Sequence, residues 1–281
     1  MENYVTLFDN NYLLQGIGLY KSLVRNAKNF KLWVICIDEA TYLMLVRLNF
    51  TNLTPLKLSE FETTELLFVK GTRSIGEYCW TLTPFVFDFV FSVAPTIERL
   101  TYIDSDVWIR KSPQPIFRDL ENSGKLVLIT DHGYAPDYDA SATSGQYCVQ
   151  FLTFYKNGTS EIRKQWQDQC IEWCFNRVED NKFGDKKYLD DWPEQFPDLV
   201  HVMSNREWAL APWNATRFPY GNSIFYHFHG LKIDVNKDGN TLSFRVEGQY
   251  ILPEVLKKYV YLPYIHEINE SFGLLRSMGF R

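Results

Sequence analysis

The sequence contains no run of basic residues, no apolar stretch of membrane-spanning length, no low-complexity tract and no internal repeat. Phosphate backbones are bound by a positive stripe, so a nucleic-acid partner is not expected, and the net charge of −5 agrees. No transmembrane segment is expected, since a helix needs about 20 consecutive apolar residues to cross a bilayer. Glu2 comes early and "YVTLF" is too short for the apolar core of a secretory leader. The expectation is a cytoplasmic chain, with peripheral contact at the membrane surface left open. Cysteine is scarce and odd in number: Cys36, Cys79, Cys148, Cys170 and Cys174. Without a spaced framework these argue for a reducing compartment and against a disulfide scaffold. Cys170 and Cys174 stand one helical turn apart beside Trp166 and Trp173. They read as a packed helix face, because a zinc site would need two more ligands.

Apolar and aromatic residues are plentiful. A hydrophobic share of 46% makes the chain globular. The aromatic share of 16% suits carbohydrate contact, although most such rings belong to cores. Strand and helix signals alternate through the first hundred residues. "YVTLF", "KLWVICI", "LTPLKL" and "RLTYI" read as strands. "YLLQGIGLYKSLVRN" and "EATYLMLVRL" read as helices, and "EYCWTLTPFVFDFVF" as a helix either broken or started near Pro84. This β-α-β-α-β order predicts an α/β fold with a mostly parallel central sheet and flanking helices. Further on, "KLVLIT" and "QYCVQFLTFY" read as strands, and "SEIRKQWQDQCIEWCFNRVED" as one long amphipathic helix. In "GDKKYLDDWPEQFPDLVHVMS" a short helix, a proline stop and a strand are expected. "SIFYHFHGLK" reads as a strand running into a glycine turn. Residues from about Asp234 onward look like a tail that packs back.

"LTYIDSDVWI" places two carboxylates, Asp104 and Asp106, in the middle of an apolar run. In open α/β sheets ligands bind beyond the carboxyl ends of strands, and "RLTYI" ends at this pair. Residues two apart in extended chain point the same way. Two carboxylates so placed repel unless a divalent cation lies between them. Solvated acids at a strand end are the bland alternative. A second dense motif is "YHFHGLK". Alternation puts His227 and His229 on one face, as imidazole partners for a metal. Gly230 permits close backbone approach to a ligand, and Lys232 offers a point charge for phosphate.

Together these blocks resemble nucleotide-sugar-dependent glycosyltransferases of the GT-A fold (Rossmann-like, with a mostly parallel sheet), specifically bacterial-type relatives of family 8. The resemblance runs from Val5 to about Lys232. It rests on "TLFDNNYLLQGIGLYKSL", "YIDSDV", "GDKKYLDDW" and "FYHFHGLK", in that order. It implies one domain over residues 1–281: a nucleotide-binding half (1–110), a sugar and acceptor half (111–233) and a C-terminal extension (234–281). It implies that Asp9, Asn11 and Tyr12 hold base and ribose. Asp104, Ser105 and Asp106 would form the D-x-D motif. His227, three before the glycine, would complete the metal shell, with His229 the other candidate ligand. Gly230 and Lys232 would meet the diphosphate. Asp131, Asp185 and Lys186 are the candidate catalytic residues near the transferred sugar, although Asp131 reads equally as a loop acid. The family usually has Gln where this chain has Lys186, and Asn-x-Gly where it has Cys148-Val149-Gln150.

The implied reaction moves a sugar from a nucleotide-sugar, a UDP-sugar, to a carbohydrate or glycoconjugate acceptor, assisted by Mn2+ or Mg2+. Trp213 in "APWN" reads either as acceptor-cleft lining or as core. Two alternatives remain open at this level. "YIDSDV" also fits a haloacid-dehalogenase-type phosphohydrolase, but there the pair follows the fold's opening strand. The departures at Lys186, Cys148 and Gln150 fit a weakly active sugar-nucleotide-binding module. "DVNKDGNTLSFR" begins like a calcium loop, but Arg245 stands where the bidentate Glu belongs, so it reads as a turn.

Overall fold

The apolar runs become the strands of one sheet in the computed structural model, which describes residues 1–279. The strands in chain order are β1 (Glu2–Phe8), β2 (Phe30–Cys36), β3 (Leu53–Lys57), β4 (Arg99–Ile103), β5 (Val107–Ile109) and β6 (Val127–Asp131). They continue with β7 (Tyr147–Tyr155), β8 (Val200–Val202), β9 (Ala209–Leu210), β10 (Phe225–His227), β11 (Leu231–Val235) and β12 (Leu242–Val246). Seven of them form the main sheet in the order β3-β2-β1-β4-β7-β6-β8. Only β7 runs against its neighbours; β1 pairs in parallel with both β2 and β4. Near-continuous burial of β1 and β4 is what a sheet covered on both faces demands.

Alternation sends Tyr4 and Val5 to opposite faces, and both are fully buried. On one face Tyr4, Leu32 and Val34 pack with the helix Leu13–Asn26. On the other Val5, Ile35, Phe87 and Trp166 form a second layer with the helices Ile75–Leu82, Val86–Val93 and Ser160–Glu172. The break or start expected near Pro84 is a single 3-10 turn, Thr83–Phe85, between the first two of these. The C-terminal helix Leu262–Ser277 packs back as anticipated. Arg25 pairs with Glu267 at 2.5 Å, and Tyr264 stacks on Phe228 with ring centroids 3.7 Å apart.

The order of strands decides where a ligand can sit. The chain leaves β1 toward β2 on one side and later adds β4 on the other. The carboxyl ends of β1 and β4 therefore open side by side at a topological switch point, where such sheets form their crevice. The small sheet β5-β10-β9 lies beyond that end, entered directly from β4. Because β1 to β4 belong to one sheet, the first hundred residues are no separate domain. The phosphohydrolase reading needs the Asp pair after an opening strand, and that arrangement is not the one found.

Three local expectations are corrected. The long helix after Ser160 stops at Glu172, and Trp173 is extended (φ −151°, ψ 123°). Arg73 donates to the carbonyls of Cys170 and Ile171 at 2.6 and 2.7 Å, satisfying last-turn acceptors that a longer helix would have bonded itself. Cys170 and Cys174 are both buried, but Cys174 lies past the helix. Pro193 is not a stop; it sits in the first turn of the short helix Trp192–Gln195, where its missing N–H costs nothing. No helix among the described residues is long and apolar enough to cross a membrane.

Gly16 faces the Phe8 ring so closely that a Cβ there would overlap it. Gly16→Ala gains about 1 kcal/mol in helix propensity. Overpacking costs about 1–3 kcal/mol, so overlap wins. Urea unfolding is expected to show a variant less stable by about 1 kcal/mol. An alanine variant as stable as the parent would contradict this packing.

Candidate active site

β4 delivers the chain to Asp104, and three backbone bonds fix the turn beyond it. Asp104 N–H donates to the Gln150 carbonyl on β7 at 3.2 Å. Val107 N–H returns to the Asp104 carbonyl at 3.1 Å, closing a tight turn around Ser105, which is buried. Phe228 N–H donates to the Asp106 carbonyl at 2.9 Å, which fastens the end of β10 to this turn. His227, distant in sequence, is thereby brought over the pair. Its Nε2 lies 3.1 Å from Asp106 Oδ1 and 3.7 Å from Asp104 Oδ2. One potential ligand atom from each of the three lies within 4.8 Å of the other two.

The electrostatics show what this proximity costs. Burial pushes the Asp104 carboxyl above its usual range, and Asp106 adds to the push against the opposing charge of His227. Burial also acts on Asp106, but the charge and hydrogen bond of His227 outweigh it and hold that carboxyl low. Burial would depress His227; Asp106 overrides it and raises the imidazole well above its ordinary value. Tyr102 donates its hydroxyl to Asp104 Oδ1 at 2.9 Å, so one oxygen is held and the other is left for the cleft. The carboxylates are 23% and 16% exposed, so the triad is open from one side.

This donor set fits a divalent ion. Ligands about 2.1 Å from an octahedral centre stand about 3 Å apart when adjacent and about 4.2 Å apart when opposite. The observed separations fall at or near that span. Two carboxylates with one imidazole suit Mn2+ or Mg2+ better than a soft-ligand site would. His229 lies outside the cluster. Its ring is 5.7 Å from that of His227, and both pack on Trp213 at 5.4 Å. Although the residue is exposed on its outer side, burial of the ring first and the His227 charge second pull its pKa to about 4.

The neighbouring strand end supplies another group of sequence-selected residues. Asp9 caps the turn Asn10–Tyr12, accepting from Asn11 N–H at 3.0 Å and Asn11 Nδ2 at 2.8 Å. Asp38 accepts from Asn10 N–H at 2.7 Å and caps the next helix, which pins this loop to the sheet. Tyr12 meets Lys232: the ammonium stands 3.5 Å from its hydroxyl and 3.8 Å from Glu247. Gly230 has a part in the fold as well. At φ 75° its missing Cβ leaves room for the Glu247 carbonyl, which a Cβ would approach to 2.8 Å. The close approach seen there is that of the β11–β12 hairpin, whose Glu247 N–H donates to the Gly230 carbonyl at 2.7 Å.

Asp185 is buried near Asp104, and its backbone carbonyl is held by Trp166 Nε1 at 2.8 Å. Burial, then the Asp104 charge, lift its carboxyl to about 7, and its Oδ2 has no protein partner. Lys186 comes next, half-buried, with its ammonium 5.3 Å from the Phe183 ring. Asp131 is fully engaged: Gly133 N–H at 2.6 Å, Gln146 Nε2 at 2.7 Å and Arg206 at 2.7 Å. It organises the loop that carries His132. Trp213 is buried, donates to the His132 carbonyl at 2.8 Å and backs both histidines. Gln150 and Tyr102 were not singled out as site residues by the motifs. Two signals pointed toward Gln150, its polarity inside the apolar strand "QYCVQFLTFY" and its departure from the family's Asn-x-Gly, but neither named His227 as its partner.

No protein-family model matches the chain. Among curated proteins it is 28% identical to the uncharacterized protein YfnD of Bacillus subtilis, over 98% of this chain and 91% of that one. It is 29% identical to the uncharacterized protein YfnF of the same organism, over 82% of each. Among solved structures it resembles mouse xyloside xylosyltransferase 1 (TM-score 0.56, 14% identity, 81% of this chain and 97% of that). It also resembles the glycosyltransferase GlyE of Streptococcus pneumoniae (TM-score 0.55, 18% identity, 97% and 63%). The fold is therefore that of the GT-A glycosyltransferases.

Asp106 makes the His227 imidazole hold its proton more tightly than a free ring does, so an ion at Nε2 competes with that proton. Mn2+ binding is expected to release about one proton and to tighten as pH rises. Calorimetry in buffers of different ionisation enthalpy measures that number. Binding with no proton released would mean that His227 is not a ligand.

Proposed function

We propose that the chain is a metal-dependent glycosyltransferase related to family 8. It moves a sugar from a nucleoside-diphosphate sugar, taken as UDP-linked, to a hydroxyl of a carbohydrate or glycoconjugate acceptor. The observation that carries this reading is the meeting of Asp104, Asp106 and His227 at the switch-point crevice, beside Tyr12 and Lys232. Solved proteins of similar fold are named xylosyltransferase and glycosyltransferase, which supports the sugar-transfer reading.

In this reading Asp9, Asn11 and Tyr12 receive the nucleoside at the end of β1. Asp104, Asp106 and His227 would hold Mn2+ or Mg2+, and Tyr102 orients the first of them. A bound divalent ion supplies Lewis-acid stabilisation of the departing diphosphate. Lys232 would add a positive charge at the same leaving group by turning from Glu247 to phosphate. The bond from the anomeric carbon to the phosphate oxygen breaks, an acceptor oxygen bonds that carbon, and the hydroxyl proton passes to the departing diphosphate. The sugar is oxocarbenium-like as this happens, and a carboxylate beside it lowers the barrier. This role is assigned to Asp185, buried near Asp104, with Lys186 next to it.

Calorimetry with UDP and Mn2+ tests the donor side. Micromolar binding that requires the ion, and is lost in Asp106→Ala, is the expected outcome. UDP binding without any UDP release from UDP-sugars would leave a binding module. Phosphate release from simple monoesters without nucleotide binding would overturn the proposal. Asp185→Asn is expected to lower turnover about 100-fold while UDP affinity holds. An equal loss in both would assign Asp185 to binding instead.

A further inference from the structure

The strand β7 crosses beneath the triad, and one of its residues bonds to both sides of it. Gln150 is fully buried. Its main-chain carbonyl accepts from Asp104 N–H at 3.2 Å, and its side-chain Oε1 lies 2.7 Å from His227 Nδ1. Asp104 enters from β4 and His227 from β10, two strands in different sheets. Gln150 is thus a bridge between the carboxylate and imidazole halves of the site.

We infer that Gln150 is a positioning residue for the metal: its Oε1 takes the Nδ1 proton of His227 in a hydrogen bond and so keeps Nε2, the atom facing Asp104 and Asp106, as the ligand. The chemistry is set by the two ring nitrogens. With Nδ1–H donating to an acceptor, Nε2 is the nitrogen that can lose its proton to an ion. If the amide were turned so that its nitrogen faced Nδ1, the neutral ring would carry its proton on Nε2 and could not ligate. The turned arrangement gains nothing elsewhere, because the Gln150 amide nitrogen has no protein partner as it stands. A ring hydrogen-bonded at Nδ1 is also fixed in orientation, so Nε2 stays within 3.1 Å of Asp106. The inference rests on the metal-dependent reading of the site.

The test titrates Mn2+ alone into the full chain and follows the free-ion electron paramagnetic resonance signal. Spin-echo modulation then reports whether imidazole nitrogen lies on the bound ion. Gln150→Leu removes the acceptor at nearly constant volume, and Gln150→Glu keeps an acceptor at the same reach. The leucine variant is expected to bind Mn2+ about 10–100-fold more weakly and to lose nitrogen modulation. The glutamate variant is expected to bind as tightly as the parent or more so, with modulation kept. Should the leucine variant fail to fold, Gln150→Asn, one methylene too short, is expected to show the same loss. A leucine variant with parental affinity and unchanged modulation overturns the inference, as does a glutamate variant as weak as the leucine one. A parent chain that binds no Mn2+ sinks the metal-dependent reading as well, so the two failures are told apart.

Discussion

Two carboxylates at the end of one buried strand cannot both keep their charge without a cation, and the site is organised around that constraint. Asp104 and Asp106 respond unequally: one carboxyl is pushed up by burial, the other held down by His227. His227, whose proton Asp106 holds more tightly than usual, is the partner the pair has within the chain. That single opposition explains why β10, built late in the chain, is fastened to the Asp106 carbonyl. It also explains why a polar Gln150 is tolerated in the middle of an apolar strand.

The fold makes the constraint useful. Because β1 and β4 are parallel neighbours leading to opposite sides of the sheet, their carboxyl ends share one crevice. Tyr12 from the first and Asp106 from the second can therefore act on one ligand. The late hairpin β11–β12 closes this edge by bringing Lys232 to Tyr12, and Gly230 makes that turn possible at φ 75°. The C-terminal helix buttresses the same strand end through Tyr264 on Phe228. Glu247 beside Lys232 makes the ammonium mobile in principle, since a 3.8 Å pair between half-exposed groups contributes little.

Much of the architecture was legible. Continuous apolar runs bounded by turns announced the parallel strands, and period-3.6 faces announced the first helices. The Asp pair was legible as a site because its chemistry conflicts with its surroundings. What sequence could not supply was anything decided by tertiary partners. The helix ending at Glu172 stops where Arg73 takes its carbonyls, and no local signal marks that. Pro193 looked like a stop because its place in a helical first turn depends on where the helix begins. His229 shares the motif with His227 but not the cluster, since the strand ends between them. Gln150 stood out only as a departure from the family's Asn-x-Gly; its contact with His227 was hidden because that partner comes from another sheet.

The most direct measurement is anomalous scattering at the manganese edge from crystals grown with Mn2+ and UDP. The account predicts one peak about 2.1 Å from Asp104, Asp106 and His227 Nε2, with diphosphate oxygens completing the shell. Nucleotide bound at the β1–β4 crevice with no peak at these three side chains would contradict it.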